Sequence, residues 1–121
     1  MSTIILPWPP AALQPHAKGS KWPKIKATKA YRVAAYWLAR EAQVRRDPFA
    51  ILTVTYRPPD LRRRDVQNQH GRIKAAIDGI ADAMGCDDNG FRVRFPDSFG
   101  DPIKGGAIIV DVTNEIPATL G

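Results

Sequence analysis

The chain has 121 residues, 44% of them hydrophobic and 25% charged, enough for one core and too few for two independent ones. Eighteen Lys and Arg against twelve Asp and Glu give a formal charge of +6, a field that suits a polyanion or an anionic membrane face. No apolar run approaches the roughly 20 residues of a membrane span, and Met1 to Ala11 has neither the basic start nor the long apolar stretch of a leader. A cytoplasmic location is therefore expected. The single cysteine, Cys86, excludes an internal disulfide and a cysteine-cluster zinc site, and it reads as a small packing residue.

Ser2 to Leu6 is a short β-branched and apolar strand, stopped by Pro7, Pro9 and Pro10, which remove ladder donors. Lys18 to Lys29, "KGSKWPKIKATK", is basic and interrupted by proline, and reads as an exposed loop around Trp22. Thr28 caps a first helix in which Tyr31, Ala35, Leu38 and Ala42 recur at helical spacing, ending near Arg46 before Asp47-Pro48. Phe49 to Tyr56, "FAILTVTY", is apolar on both faces and predicts a central strand. A second helix begins near Asn68 to His70 and runs to Met84, burying Ile73, Ile77, Ile80 and Met84, with Gly85 as its stop. Phe91, Val93 and Phe95 alternate with Arg92 and Arg94, the period of a half-buried strand with a positive outer face. After the loop "PDSFGDPIKGG", Ala107 to Thr113 forms the last strand. The order β-α-β-α-β-β predicts a single α+β domain, a mixed sheet with two helices packed on it.

"LRRRDVQNQHGRIKAAIDGIADAMGCDD", Leu61 to Asp88, places acids at both ends of the second helix. At about 1.5 Å of rise per residue they would lie roughly 25 Å apart along a straight axis, so the loops must fold back or a symmetric partner must bring a second cluster up. Lys74, Asp78 and Asp82 form an i, i+4, i+8 row on its polar face. Adjacent Asp87-Asp88, another Asp from a distant loop and a nearby Lys suit a hard cation such as Mg²⁺, which can clamp a phosphodiester and activate water. By composition alone the same residues are also an ordinary polar turn, a surface ion pair and a solvated arginine run.

Taken together, three stretches resemble the RusA-type Holliday junction resolvases: "LPWPP" at Leu6 to Pro10, "RRRD…N" at Arg62 to Asn68, and "KAAIDGI…DD" at Lys74 to Asp88. The resemblance covers nearly the whole chain. It implies a RusA-like endonuclease domain, a dimer acting on four-way DNA junctions in recombination and repair, and a requirement for Mg²⁺, with Mn²⁺ as a substitute. By position it implies Asp65, Lys74 and Asp88 as catalytic residues, with Asp65, Asp88 and its neighbour Asp87 around the metal and Asp78 as a weaker metal candidate. Asn68 matches the motif asparagine. Two departures stand out. Gln67 occupies the position of a second aspartate and offers a neutral carbonyl in place of charge, and "QHGRI" lengthens the gap before Lys74. His70 is one substitute ligand to consider, against the surface or capping role usual for a lone histidine.

Lys18, Lys21, Lys24, Lys26, Lys29 and Arg32 form a run without an acid, and Arg62, Arg63 and Arg64 stand immediately before Asp65. These are the expected DNA contacts, with salt-sensitive affinity. Trp22 either stacks on an unpaired base or anchors its loop. The principal alternative is a junction- or DNA-binding protein that lost cleavage with the charge missing at Gln67. A basic adaptor for acidic proteins explains the charge but not the acidic pair beside a lysine-bearing helix.

Overall fold

A computed structural model of the chain describes residues 2–13 and 21–115. Four strands form one mixed sheet: β1 (Ser2–Pro7), β2 (Ile51–Arg57), β3 (Arg92–Arg94) and β4 (Ala107–Thr113), in the spatial order β1-β4-β2-β3. β4 runs antiparallel to both of its neighbours, while β2 and β3 are parallel. The register sets Ile4 opposite Val110 and Leu52 opposite both Val112 and Val93. Because side chains alternate across a strand, this alignment gathers Ile4, Leu6, Leu52, Val54, Tyr56, Ile108, Val110 and Val112 on one face, all buried.

The helices α1 (Lys21–Glu41), α2 (Val66–Arg72) and α3 (Lys74–Met84) complete the chain. Tyr31, Ala35 and Ala39 of α1 and Ile77, Ile80 and Met84 of α3 close the core over that sheet face. The expected stripe on the second helix and the central place of its preceding strand both hold. β2 is not apolar on both faces, however: Thr53 is exposed and Ile51, Thr55 and Arg57 are half-buried. The strand also begins at Ile51 rather than Phe49, whose ring is largely exposed.

Three further boundaries differ from the sequence reading. α1 starts at Lys21, so the basic stretch expected as a loop is helical from that point. Pro23 sits in the first turn, where a missing N–H costs nothing. Thr28 is consequently inside the helix, and its hydroxyl donates back to the Lys24 carbonyl (2.7 Å) instead of capping. The C-terminus comes at Glu41, before the expected Arg46, because Gln43 turns left-handed (φ 57°). Val44 N–H then bonds the Ala39 carbonyl and Gln43 N–H that of Arg40, the paired closure of a Schellman motif.

The second helix begins at Val66 and breaks at Ile73, a fully buried residue with φ −102° and ψ 5°. Its true start is Asp65, whose carboxylate accepts from Gln67 N–H (2.8 Å), as a favoured N-cap residue does. At the other end Gly85 (φ 71°) closes α3 and reverses the chain, with Cys86 N–H on the Ala81 carbonyl. Cys86 is half-buried and its thiol is pushed up from the ordinary value by burial, in keeping with a packing role.

Asp47, read from sequence only as a helix stop, is completely buried. Its carboxylate accepts from Phe49 N–H (3.0 Å), Glu115 N–H (2.6 Å) and the Asn114 amide (3.4 Å). It thereby ties the turn before β2 to the chain leaving β4. Asp47→Ala strands these donors and is expected to cost about 2–3 kcal/mol, read as a fall in the urea midpoint at unchanged slope.

Candidate functional site

The reversal at Gly85 leads into a short 3-10 turn, Asp88–Gly90, which returns to the beginning of α3. Lys74 Nζ donates to Asp88 Oδ2 (2.5 Å) and to Asp78 Oδ1 (2.7 Å). One of the two arrangements open from sequence, folding back within one chain, therefore unites these three residues. The ammonium is held above its ordinary pKa by the hydrogen bond to Asp78 and then by that to Asp88. Asp88 is held below the usual carboxylate range, mainly by the hydrogen bond from Lys74.

Arg32, projecting from α1, extends the cluster. Its Nε donates to Asp82 Oδ2 (2.7 Å) and its Nη2 to Asp82 Oδ1 (2.9 Å), while Nη1 lies 4.0 Å from Asp78. This bidentate bond raises the arginine and lowers the Asp82 carboxyl from their ordinary values. Two cations, Arg32 and Lys74, thus face three carboxylates, Asp78, Asp82 and Asp88. The sequence placed Arg32 only among DNA contacts. Its spacing from Asp82, fifty positions on, carries no signal before the two helices are known to pack together.

Asp65 does not join this cluster by any hydrogen bond or ion pair among the described residues. It is exposed, caps α2, and lines a separate hollow with Asn68 and the three arginines Arg62 to Arg64. Gln67 is exposed beside it. Asp87 is a capping residue, accepting from Asn89 N–H (2.9 Å). His70 is engaged elsewhere: the Tyr56 hydroxyl meets its Nδ1 at 2.6 Å and its ring packs on Phe95 at 4.4 Å between centroids. Burial raises the Tyr56 phenol well beyond its ordinary pKa, so the hydroxyl stays protonated in that contact.

Among the described residues, no group of three or more His, Cys, Asp and Glu side chains is arranged to hold a metal ion. What converges is a pair of carboxylates, Asp78 and Asp88, on one ammonium. Hard oxygen donors in that number do fit Mg²⁺, which commonly binds through one or two carboxylates and completes its shell with water and phosphate. Of the expected metal residues Asp65, Asp87, Asp88 and the weaker candidate Asp78, the fold brings Asp78 and Asp88 together on Lys74, while Asp65 and Asp87 serve as caps.

The basic residues divide in a way the run in sequence conceals. Lys21, Lys24, Lys29 and Arg32 line one surface hollow on α1. Lys26 is two positions from Lys24, about 200° around a helix of 3.6 residues per turn, and lies outside it. Lys24 also lines a neighbouring hollow with Lys74 and Asp78, so this basic face runs up to the charged cluster. Trp22 stands largely exposed at its start. Lys18 lies outside the described residues. Arg92 and Arg94 project from the exposed side of β3, with Arg92 Nη1 at 3.7 Å from Glu115.

An uncharacterized protein of Xylella fastidiosa (strain Temecula1 / ATCC 700964) is 32% identical over 122 residues, an alignment spanning 93% of this chain and 76% of that protein. The two belong to one family. No family model matches the chain. An alignment of this breadth must take in the cluster on α3, so the relationship concerns most of the domain and not a shared motif. No helix among the described residues is long and apolar enough to cross a membrane.

Proposed function

We propose that the chain is a divalent-cation-dependent DNA endonuclease of the RusA type, hydrolysing phosphodiester bonds at four-way junctions. The observation that carries this reading is Lys74 Nζ between Asp78 and Asp88, at the end of a basic face. A mixed four-stranded sheet with its helices on one side accords with the resemblance read from the sequence.

In this reading Lys21, Lys24 and Lys29 hold the backbone by charge. Asp78 and Asp88 offer hard oxygens for Mg²⁺ or Mn²⁺, and the bound ion supplies Lewis acidity and water activation at neutral pH. Lys74 then faces the phosphate, where its ammonium stabilises charge developing on the phosphate oxygens. Asp65 approaches the strand from the neighbouring hollow. A C₂ homodimer would present two such sites to a junction of approximate two-fold symmetry, and paired nicks follow from that symmetry.

The test is cleavage of a synthetic four-way junction by purified protein with Mg²⁺ or Mn²⁺. Symmetric nicks are expected, and Asp65→Asn, which retains an N-cap oxygen and so should fold, is expected to bind without cutting. A second reading, a junction-binding protein without cleavage, is favoured by one observation: Asp65 caps α2 and makes no hydrogen bond or ion pair with the Lys74 cluster among the described residues. Junction binding with no nick across both metal titrations would establish that second reading.

A further inference from the structure

The "LPWPP" segment, Asp65 and the arginine triplet together enclose a hollow of about 440 Å³. Its deepest polar groups belong to Arg72 and Gln69, which are 8% and 2% exposed. Arg72 donates through Nη2 to the carbonyls of Pro9 (2.7 Å) and Pro10 (3.3 Å) and through Nη1 to Gln69 Oε1 (3.0 Å). That last bond fixes the orientation of the Gln69 amide, directing its Nε2 away from Arg72. Two buried donors, Gln69 Nε2 and Arg72 Nε, then lack a partner among the described residues.

Charge points the same way. Among the described residues no carboxylate pairs with Arg72, and burial pushes its pKa down from the ordinary arginine value. Among the described residues this buried guanidinium is supported by carbonyls, an amide and the Trp8 ring at 6.0 Å, and is incompletely compensated. Arg64 stiffens the wall, bonded to Asp60 through its carboxylate (2.9 Å) and its carbonyl (3.1 Å) and lying 5.6 Å from the Trp8 ring. Arg62 and Arg63, on the rim, make no side-chain ion pair among the described residues. Asp65 is the one carboxylate in the lining, against four arginines.

We infer that this hollow is a phosphate-binding site, distinct from the Lys74 cluster, with Arg72 and Gln69 as its floor and Arg62 and Arg63 as its rim. A tetrahedral oxyanion has acceptors enough for donors arriving from both levels, and guanidinium is the cation best matched to it. That the phosphate comes from a nucleic-acid strand rests on the nuclease reading, whereas the phosphate chemistry does not. The Trp8 ring is already engaged by two guanidinium groups, Arg64 at 5.6 Å and Arg72 at 6.0 Å, and the unpartnered donors call for an oxyanion.

The experiment follows the Gln69 side-chain amide and Trp8 indole of the full chain by NMR during titration with inorganic phosphate at constant ionic strength. Saturable shifts at both are expected. Arg62→Ala with Arg63→Ala should weaken the binding about tenfold at an unchanged melting temperature, and Gln69→Glu should abolish it. Equal shifts with chloride, or none at Gln69, would overturn the site. Oligonucleotides with and without a 5′ phosphate separate the sources: tighter binding of the phosphorylated one assigns the site to a strand end, equal binding to an internal phosphodiester. Junction nicking without a phosphate response at Gln69 removes this site and leaves the nuclease reading standing. A phosphate response without nicking does the reverse.

Discussion

Gly79→Ala is expected to destabilise the protein by about 3 kcal/mol, although alanine is the better helix former. Propensity alone would favour the substitution by roughly 1 kcal/mol. Gly79, however, lies where α3 passes closest to α1, and a Cβ there would meet the Arg32 carbonyl oxygen at 2.2 Å and the Ala35 Cβ at 2.9 Å. Both obstacles are fixed to helical backbone, so relief requires the helices to move apart, with loss of packing at Ala35, Ile77 and Ile80. The same movement would separate Arg32 from Asp82. Gly71→Ala is the matched control, because among the described residues no atom outside its own helix and chain neighbours lies within 4 Å of its Cβ, and there the propensity gain should appear with its ordinary sign. Urea unfolding of the two variants measures both. Similar shifts in one direction would mean that the helices do not meet at Gly79.

Lys74→Met is expected to reduce junction cleavage by roughly 10²- to 10³-fold, the scale of losing one preorganised charge at a transition state, while junction binding falls only slightly. Its effect on stability is small by comparison. Lys74 is 61% exposed and its partners are half-buried, so solvent screening limits the pairs to about 1 kcal/mol in total. The pH dependence identifies that contribution. Asp88 has a lowered pKa when folded. Its share is therefore present above the ordinary aspartate value and lost as pH falls through the lowered one, below about pH 4. Lys74 has a raised pKa, and its share, present below the ordinary lysine value, disappears as pH rises through the raised one, above about pH 10. The stability difference between wild type and Lys74→Met should be flat between these limits and shrink beyond each. A difference that changes between pH 6 and 8 would mean that another group titrates against Lys74.

The sheet was legible because its strands alternate or cluster in ways that only burial explains: β4 begins and ends where the sequence predicts, and the stripe Ile77, Ile80, Met84 faces the core. The start of α1 was not legible, because proline and lysine in "KWPKIK" describe a loop by composition and a first helical turn by position. The break at Ile73 escaped for a different reason. Ile73 continues the apolar spacing of α3, and nothing local marks the change in backbone angle. Within the site, Lys74 and Asp78 were readable as an i, i+4 pair, and the turn at Gly85 gave a reason to bring Asp88 near them. The separation of Asp65 was hidden by its own chemistry, since the same carboxylate suits a helix cap and a cation. Arg72, Gln69 and Asp47 were missed because buried polar residues are recognised by what surrounds them, which sequence order does not display.

The left-handed turn at Gly85 also determines how durable the two charged regions are. It lets Lys74 and Asp88 meet across only 14 positions of chain, whereas Arg72 reaches the Pro9 carbonyl across 63. Closing the longer loop costs about 1 kcal/mol more in chain entropy. The Lys74, Asp78 and Asp88 part of the cluster therefore belongs to a local unit that survives as long as α3 and its turn persist, while the arginine hollow vanishes as soon as the first strand peels from the sheet. Under partial unfolding, amide exchange should reach the floor of the hollow before it reaches α3.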